Sequence, residues 1–274
     1  MTRDARIASP VFFGLETGVF MSCRFIGPAV VAAVAVLSSP AAADSLGFRF
    51  AEATIGGISG GDGVQGSARL RGDFALTGSH GLQLDLSVVS YGDEFLGQLD
   101  GHLYMMPAEA AKYGLFFSLA DMDGREATLA LVGVEGMFAL SDATEVHGRA
   151  GIGMALPDTM EFIALSVGAS HAVNDQVAIY GDLTMAEVDE AALRAMTTSA
   201  RIGISYQPAG RPWEVSASVV RDGISGRNAA AFETRAELGF TLHLGGGGGA
   251  KRGLSKRGFA AMQAFDPLLR RGMF

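Results

Sequence analysis

The sequence predicts an all-β chain: a closed, antiparallel transmembrane β-barrel of about ten to twelve strands with a flexible C-terminal tail. Three observations carry that expectation. Segments of ~10–14 residues alternate apolar with polar or small residues, the period of a strand. Clusters of Gly, Asp, Asn and Ser separate them, and links this short join antiparallel neighbours. The polar face repeatedly carries Arg, Asp, Glu and His together, while Lys112 is the only lysine between residues 44 and 244.

The chain reads as four parts. Residues 1–20 contain Asp4 and Glu16, which suit no signal n-region, so they read as an upstream extension or a misplaced start. Residues 21–43 read as a signal peptide, with Arg24 as the n-region, Ala29–Leu37 as the apolar run and Ala41-Ala42-Ala43 as an A-x-A cleavage site. The apolar run is about half the ~20 residues that a spanning helix needs. Cleavage near Ala43 would remove Cys23, the one cysteine, so the mature chain relies on no disulfide. Residues 44–244 are the β-barrel, long enough for a single β-domain. Residues 245–274 are a glycine tether and a basic tail.

The strands follow in order. Leu46–Gly57 opens the set and ends at "SGGDG". Gly63–Thr77 sets Ala68, Leu70, Phe74 and Leu76 against Arg69, Arg71 and Asp73. Leu82–Gly92 sets Leu82, Leu84, Leu86 and Val88 against Gln83, Asp85 and Ser87. Phe95–Met106 sets Leu99, Leu103 and Met105 against Gln98, Asp100, His102 and Tyr104. "PAEAAKYG", residues 107–114, could hold one helical turn before Lys112–Ala120. Ala127–Leu140 follows "ADMDGRE". Thr144–Leu156 sets Val146, Ala150, Ile152, Met154 and Leu156 against Glu145, His147, Arg149, Gly151 and Gly153. Glu161–Val173, Gln176–Met185, Ala195–Tyr206 and Glu214–Arg221 are bounded by "PDTM", "VND", "EVDEA", "QPAGRP" and "RDGISGRN". Ala231–Leu244 alternates strictly from Thr234, with Ala236, Leu238, Phe240, Leu242 and Leu244 on one face.

Two architectures accommodate this pattern. A soluble sandwich or barrel turns the apolar face inward. A transmembrane barrel turns it to lipid and lines its interior with the charged face. Spacing favours the second: one strand about every 17 residues matches tilted spanning strands of ~9–11 residues plus turns. So does the charge chemistry, because interior pairs favour the pre-organised guanidinium over the strongly hydrated ammonium. Aromatic residues near strand ends (Phe48, Phe50, Tyr91, Phe95, Tyr104, Tyr113, Phe138, Phe162, Tyr180, Tyr206, Trp213, Phe232 and Phe240) would suit interfacial girdles.

The final strand adds a motif. "ELGFTLHL" places Glu237, Gly239, Leu242 and Leu244 at the spacing of a polar residue, a glycine and two hydrophobic residues. It resembles the β-signal of Gram-negative outer-membrane β-barrel proteins, and the alternating body resembles that porin-like class in general pattern. The resemblance implies insertion into the outer membrane, contact with its lipid, and recognition of those four residues by the barrel-assembly machinery. The sequence departs from the pattern by continuing for 30 residues beyond Leu244 instead of ending on an aromatic.

A barrel turned this way would line its lumen with Arg69, Arg71, Asp73, Asp85, Asp100, His102, Glu145, Arg149, Glu233, Arg235 and Glu237. Residues 44–244 hold 26 acidic against 12 basic side chains. That excess points to a narrow porin-like channel for small, preferably cationic solutes, since acidic rings favour cations. The alternatives are a non-conducting structural or interaction barrel and a soluble periplasmic β-protein. A body this acidic excludes a nucleic-acid partner. No catalytic site is expected: Ser170 and His171 are adjacent on a strand and diverge, and no nucleophile elbow, zinc helix or P-loop motif occurs. No cofactor and no metal site is expected; "DMDG" is too short for a calcium loop.

Five glycines at 245–249 read as a flexible tether. Beyond them six cations mix with Phe259, Met262, Phe265, Leu268, Leu269 and Phe274. Residues 258–265 would form a short helix limited by Pro267. The tail would face the periplasm, either disordered or docked on an anionic surface or a periplasmic partner.

Overall fold

The computed structural model describes residues 47–60, 63–124, 127–157, 160–189, 194–226, 231–245 and 249–270. The upstream segment and the signal peptide expected over residues 1–43 lie outside the described residues.

Twelve strands form one antiparallel sheet: β1 Phe48–Gly60, β2 Gly63–Ala75, β3 His80–Tyr91, β4 Glu94–Ala108, β5 Ala111–Asp123 and β6 Ala127–Ala139, then β7 Thr144–Leu156, β8 Met160–Ala172, β9 Val177–Asp189, β10 Arg194–Tyr206, β11 Trp213–Gly226 and β12 Ala231–Leu244. Each strand pairs with its sequence neighbours, and β1 pairs with β12 from Ala51↔Leu244 to Ser59↔Ala236, so the sheet closes into a barrel without an edge. The near mouth is where β1 begins and β12 ends; the far mouth is opposite.

The apolar face points outward. Ile202 is 71% exposed and Leu238 67%, whereas Asp85 and His102 are 0% exposed. Such a face suits lipid and not water, since contiguous exposed apolar surface of this extent marks a membrane contact. The soluble alternative would need the inverse arrangement. A cation at the middle of the outward face should cost about 2–4 kcal/mol. Leu238→Arg is therefore expected to lower the temperature at which the barrel loses its fast-migrating form on SDS gels, and Phe232→Arg, close to the far mouth, to lower it less.

Several strands run further than their sequence boundaries suggested. β5 reaches Asp123, β9 Asp189 and β11 Gly226, through segments rich in turn residues. Toward the far mouth the outward positions become polar: Asp121 accepts from Thr128, Arg221 donates to Thr234, and Glu161 and Glu187 are exposed. The strands continue there beyond the apolar band, where a polar residue outside has water to meet. The helical turn considered at 107–114 is absent; β4 runs to Ala108, and a two-residue turn leads into β5.

The aromatic residues divide by position. Tyr113, Phe138, Tyr206 and Phe240 are outward and 39–45% exposed, Trp213 stacks on Phe240, and Phe48 meets Phe74 edge to face. These lie toward the near mouth, where an interfacial belt would sit. Tyr91, Tyr104 and Phe162 are instead buried inside the barrel, as part of packing described next.

The largest departure is the C-terminal segment. Residues 249–270, expected as a flexible tail outside the barrel, lie within it. Leu254, Phe259, Leu268 and Leu269 are at most 2% exposed. Met262, Ala264, Phe265, Leu268 and Leu269 share one apolar cluster with inward residues that include Leu96, Met122, Leu131, Phe162, Val188 and Ile224. The segment is mostly extended, with a 3₁₀ turn at Leu254–Lys256 and one helical turn, α1, at Asp266–Leu269. The helix expected over 258–265 does not form. Pro267 sits in the first turn of α1 instead of limiting a helix before it, because the first turn requires no amide hydrogen from that residue.

Candidate functional site: the barrel lumen

Strand parity places the ionisable side chains inside. All eleven residues expected in the lumen lie on the inward face, and the structure shows how they are joined. At the middle of β1–β4, Arg71 donates to Glu52 at 2.8 Å and to Asp85 at 2.9 Å. Nδ1 of His102 lies 2.7 Å from Glu135, and its Nε2 lies 3.7 Å from Asp85. Arg149 donates to the second oxygen of Glu135 at 2.8 Å. Asp100 accepts from Gln98 at 2.8 Å, and Asp73 accepts from Tyr104 at 2.7 Å. Across the barrel, Arg201 holds Glu237 through two hydrogen bonds of 2.9 and 3.2 Å. Near the far mouth Arg235 donates to Asp222 at 2.6 Å. Buried charges persist only when paired in this way.

Inward residues that the sequence reading left out complete these networks: Arg49, Glu52, Lys112, Glu135, Asp182, Arg201, Glu214, Asp222 and His243. Lys112 is 0% exposed and lies 3.3 Å from Asp73, over the rings of Tyr104 and Phe259. His243 sits between Glu52 at 3.1 Å and Glu214 at 3.6 Å. Asp182 lies 3.6 Å from Arg201. Taken without the C-terminal segment, the inward carboxylates outnumber the inward cations. Of the four residues of the last-strand motif, Glu237 and Gly239 face inward, while Leu242 and Leu244 lie on the outward face.

The C-terminal segment spans this lumen from one mouth to the other. Gly245, at φ +76°, turns the chain away from β12; this left-handed conformation favours glycine. The Ala250 amide donates to the Asp175 carbonyl in the β8–β9 turn at the near mouth. Arg252 donates to Glu214 at 2.7 Å, and Arg257 donates to Glu145 at 2.9 Å. Phe259 stacks on His102 with centroids 5.6 Å apart. Its amide donates to Gln83 at 2.8 Å, and its carbonyl accepts from Arg71 at 2.6 Å and from Gln83 at 2.9 Å. Further along, Thr197 donates to the Ala264 carbonyl at 2.8 Å, and Phe265 meets Phe162 edge to face at 4.2 Å. Asp266 accepts from Tyr91 at 2.6 Å and from Arg235 at 2.7 Å. Arg270 closes the series at the far mouth with Asp222 at 2.7 Å and with Glu233. Arg252, Arg257 and Arg270 thus meet carboxylates of the inner wall.

The segment leaves part of the lumen free. A cavity of about 460 Å³ lies between it and the walls of β6–β12 and β1–β3. The cavity borders Ser205 and Glu214 toward the near mouth and Ile58 and Asp266 toward the far one. Its lining is mostly hydroxyls, glycines and charged groups, among them Arg69, whose Nε has no hydrogen-bond partner. Such a lining can hydrate a passing polar solute. Among the described residues no cluster of His, Cys, Asp and Glu is arranged to hold a metal ion. His171 contacts Thr144 in this structure, and Ser170 faces the cavity.

No protein-family model and no curated protein sequence matches the chain. Solved structures do. An outer-membrane channel of Pseudomonas putida F1, described as COG4313, matches with a TM-score of 0.58 at 12% identity, over 73% of this chain and 98% of that one. The KdgM porin matches at 0.51 and 12% identity, over 70% and 98%. The NanC porin matches at 0.51 and 8% identity, again over 70% and 98%. These likenesses show the fold: a closed antiparallel β-barrel like those of the outer-membrane porins it resembles.

Proposed function

We propose that this chain is an outer-membrane channel of a Gram-negative bacterium that passes small polar solutes passively. The observation that carries the reading is the free cavity: a polar space that borders both ends of a closed wall. Taken without the C-terminal segment, the barrel wall carries an excess of carboxylates, which by itself favours cations. Twelve strands fall between eight-stranded barrels filled by side chains and the wide lumens of 16–18 strands, so the solutes are small.

The same reading supplies the chain's surroundings. Cleavage near Ala43 delivers it to the periplasm. The barrel-assembly machinery reads Glu237, Gly239, Leu242 and Leu244, and lipid covers the outward face. The seated C-terminal segment is the observation that favours a second reading, a non-conducting interaction barrel. Two measurements separate the readings. The protein is expected in the outer-membrane fraction, migrating differently on SDS gels before and after boiling. In planar bilayers the purified chain should then give small, steady ion currents. A heat-modifiable barrel without current would be the interaction barrel, and a soluble protein indifferent to boiling would overturn both.

A further inference from the structure

The C-terminal segment divides the lumen into unlike halves. Asp73, Asp85, Asp100 and Glu135, on β2, β3, β4 and β6, are at most 5% exposed and do not border the free cavity. They lie on the side that the segment covers, where Phe259 stacks on His102 and Gln98 reaches the Met262 carbonyl. Two of them stand behind basic partners that do border the cavity: Asp85 behind Arg71, and Glu135 behind Arg149. A solute in the free passage therefore meets the guanidinium before the carboxylate.

The segment also changes the passage by what it adds. Arg252 and Arg257 border the cavity, and their partners Glu214 and Glu145 are wall carboxylates of the same passage. Arg201 is already held by Glu237, and Arg69 has an unpartnered Nε. The segment thus hides wall carboxylates on one side and neutralises others on the open side.

We propose that the C-terminal segment is the selectivity element of this channel: when seated, it cancels the cation preference of the wall, and Arg252 and Arg257 bias the remaining passage toward anions. The proposal rests on the chain being a channel, as argued above. The charges act at contact range within a narrow space, where salt screens them far less than it screens exposed pairs.

The test is the reversal potential across a bilayer in a potassium chloride gradient, with three full-length proteins checked first for heat-modifiable migration. The unaltered chain should favour chloride or show no preference. Arg252→Gln combined with Arg257→Gln should shift the reversal potential toward potassium with little change in conductance, because the segment keeps its apolar anchors. Phe259→Asp combined with Leu268→Asp should unseat the segment, shift the potential further toward potassium, and raise conductance several-fold. A strongly potassium-selective unaltered chain, or a reversal potential that neither variant moves, overturns the proposal and leaves the channel standing. Absence of current in all three overturns the channel reading, and the proposal with it.

Discussion

A chain ended at Gly249 is expected to conduct ions several-fold better than the full chain and to lose its folded form at a lower temperature. Both effects follow from where residues 250–270 lie. The twelve ladders, including the β1–β12 seam, close without any strand contributed by that segment. The wall can therefore form without it, and its removal clears the lumen along its length. The cost falls on packing. Truncating a buried large aromatic typically costs ~3–5 kcal/mol, and the segment buries both Phe259 and Phe265 against wall residues. Leu96, Met122, Leu131 and Phe162 would then face water inside the barrel. Single-channel recording and a temperature series of SDS gels measure the two effects. An unchanged conductance would mean that the segment does not obstruct the ion path.

The second large effect is expected at Gly133. This residue of β6 pairs with Gly151 of β7. A Cβ there would run into the Ala150 carbonyl and the Gly151 Cα, both backbone, and the Phe116 ring. Backbone cannot swing aside as a flexible side chain can. Gly133→Val should part β6 from β7, with a penalty at or above the top of the ~1–3 kcal/mol usual for overpacking. The measured result is loss of heat-modifiable protein from the outer membrane. Gly97→Ala is the companion, because a Cβ there lies 4.0 Å from the nearest neighbouring atom, the Asp121 carbonyl oxygen, and it should assemble normally. Normal assembly of the valine variant would show that the wall can bend to admit it.

Much of the wall was legible because parity contrasts are strong where Leu alternates with Asp or Arg. Asp85 stands between Leu84 and Leu86, and its inward face could be read directly. Lys112, Arg201 and Glu52 gave weaker contrast. Arg201 shares its face with Ser199, Gly203 and Ser205, and Glu52 with Thr54 and Gly56, so small neighbours left a single charge to mark the face. Lys112 shares its face with Phe116, Ala120 and Met122, which are apolar although they point inward. That inward apolarity was also the trace of the C-terminal segment. "LFFSLADM" and "ATLALVGV" are apolar on both faces, as a strand buried on both sides would be. The segment itself could not be read by period: it is an irregular chain fitted to a wall that is acidic in one part and apolar in another.

The threaded segment also reverses a rule of parity. A barrel with an even number of strands brings its first and last residues to the same side of the membrane. Here β1 begins and β12 ends at one mouth, yet Arg270 is held at the other by Asp222 and Glu233. An epitope joined beyond the C-terminus would then be carried toward the opposite compartment from one placed ahead of β1. The order of assembly is constrained as well. Either the seam zips shut around a chain already lying inside, or twenty-odd residues pass lengthwise through a finished ring.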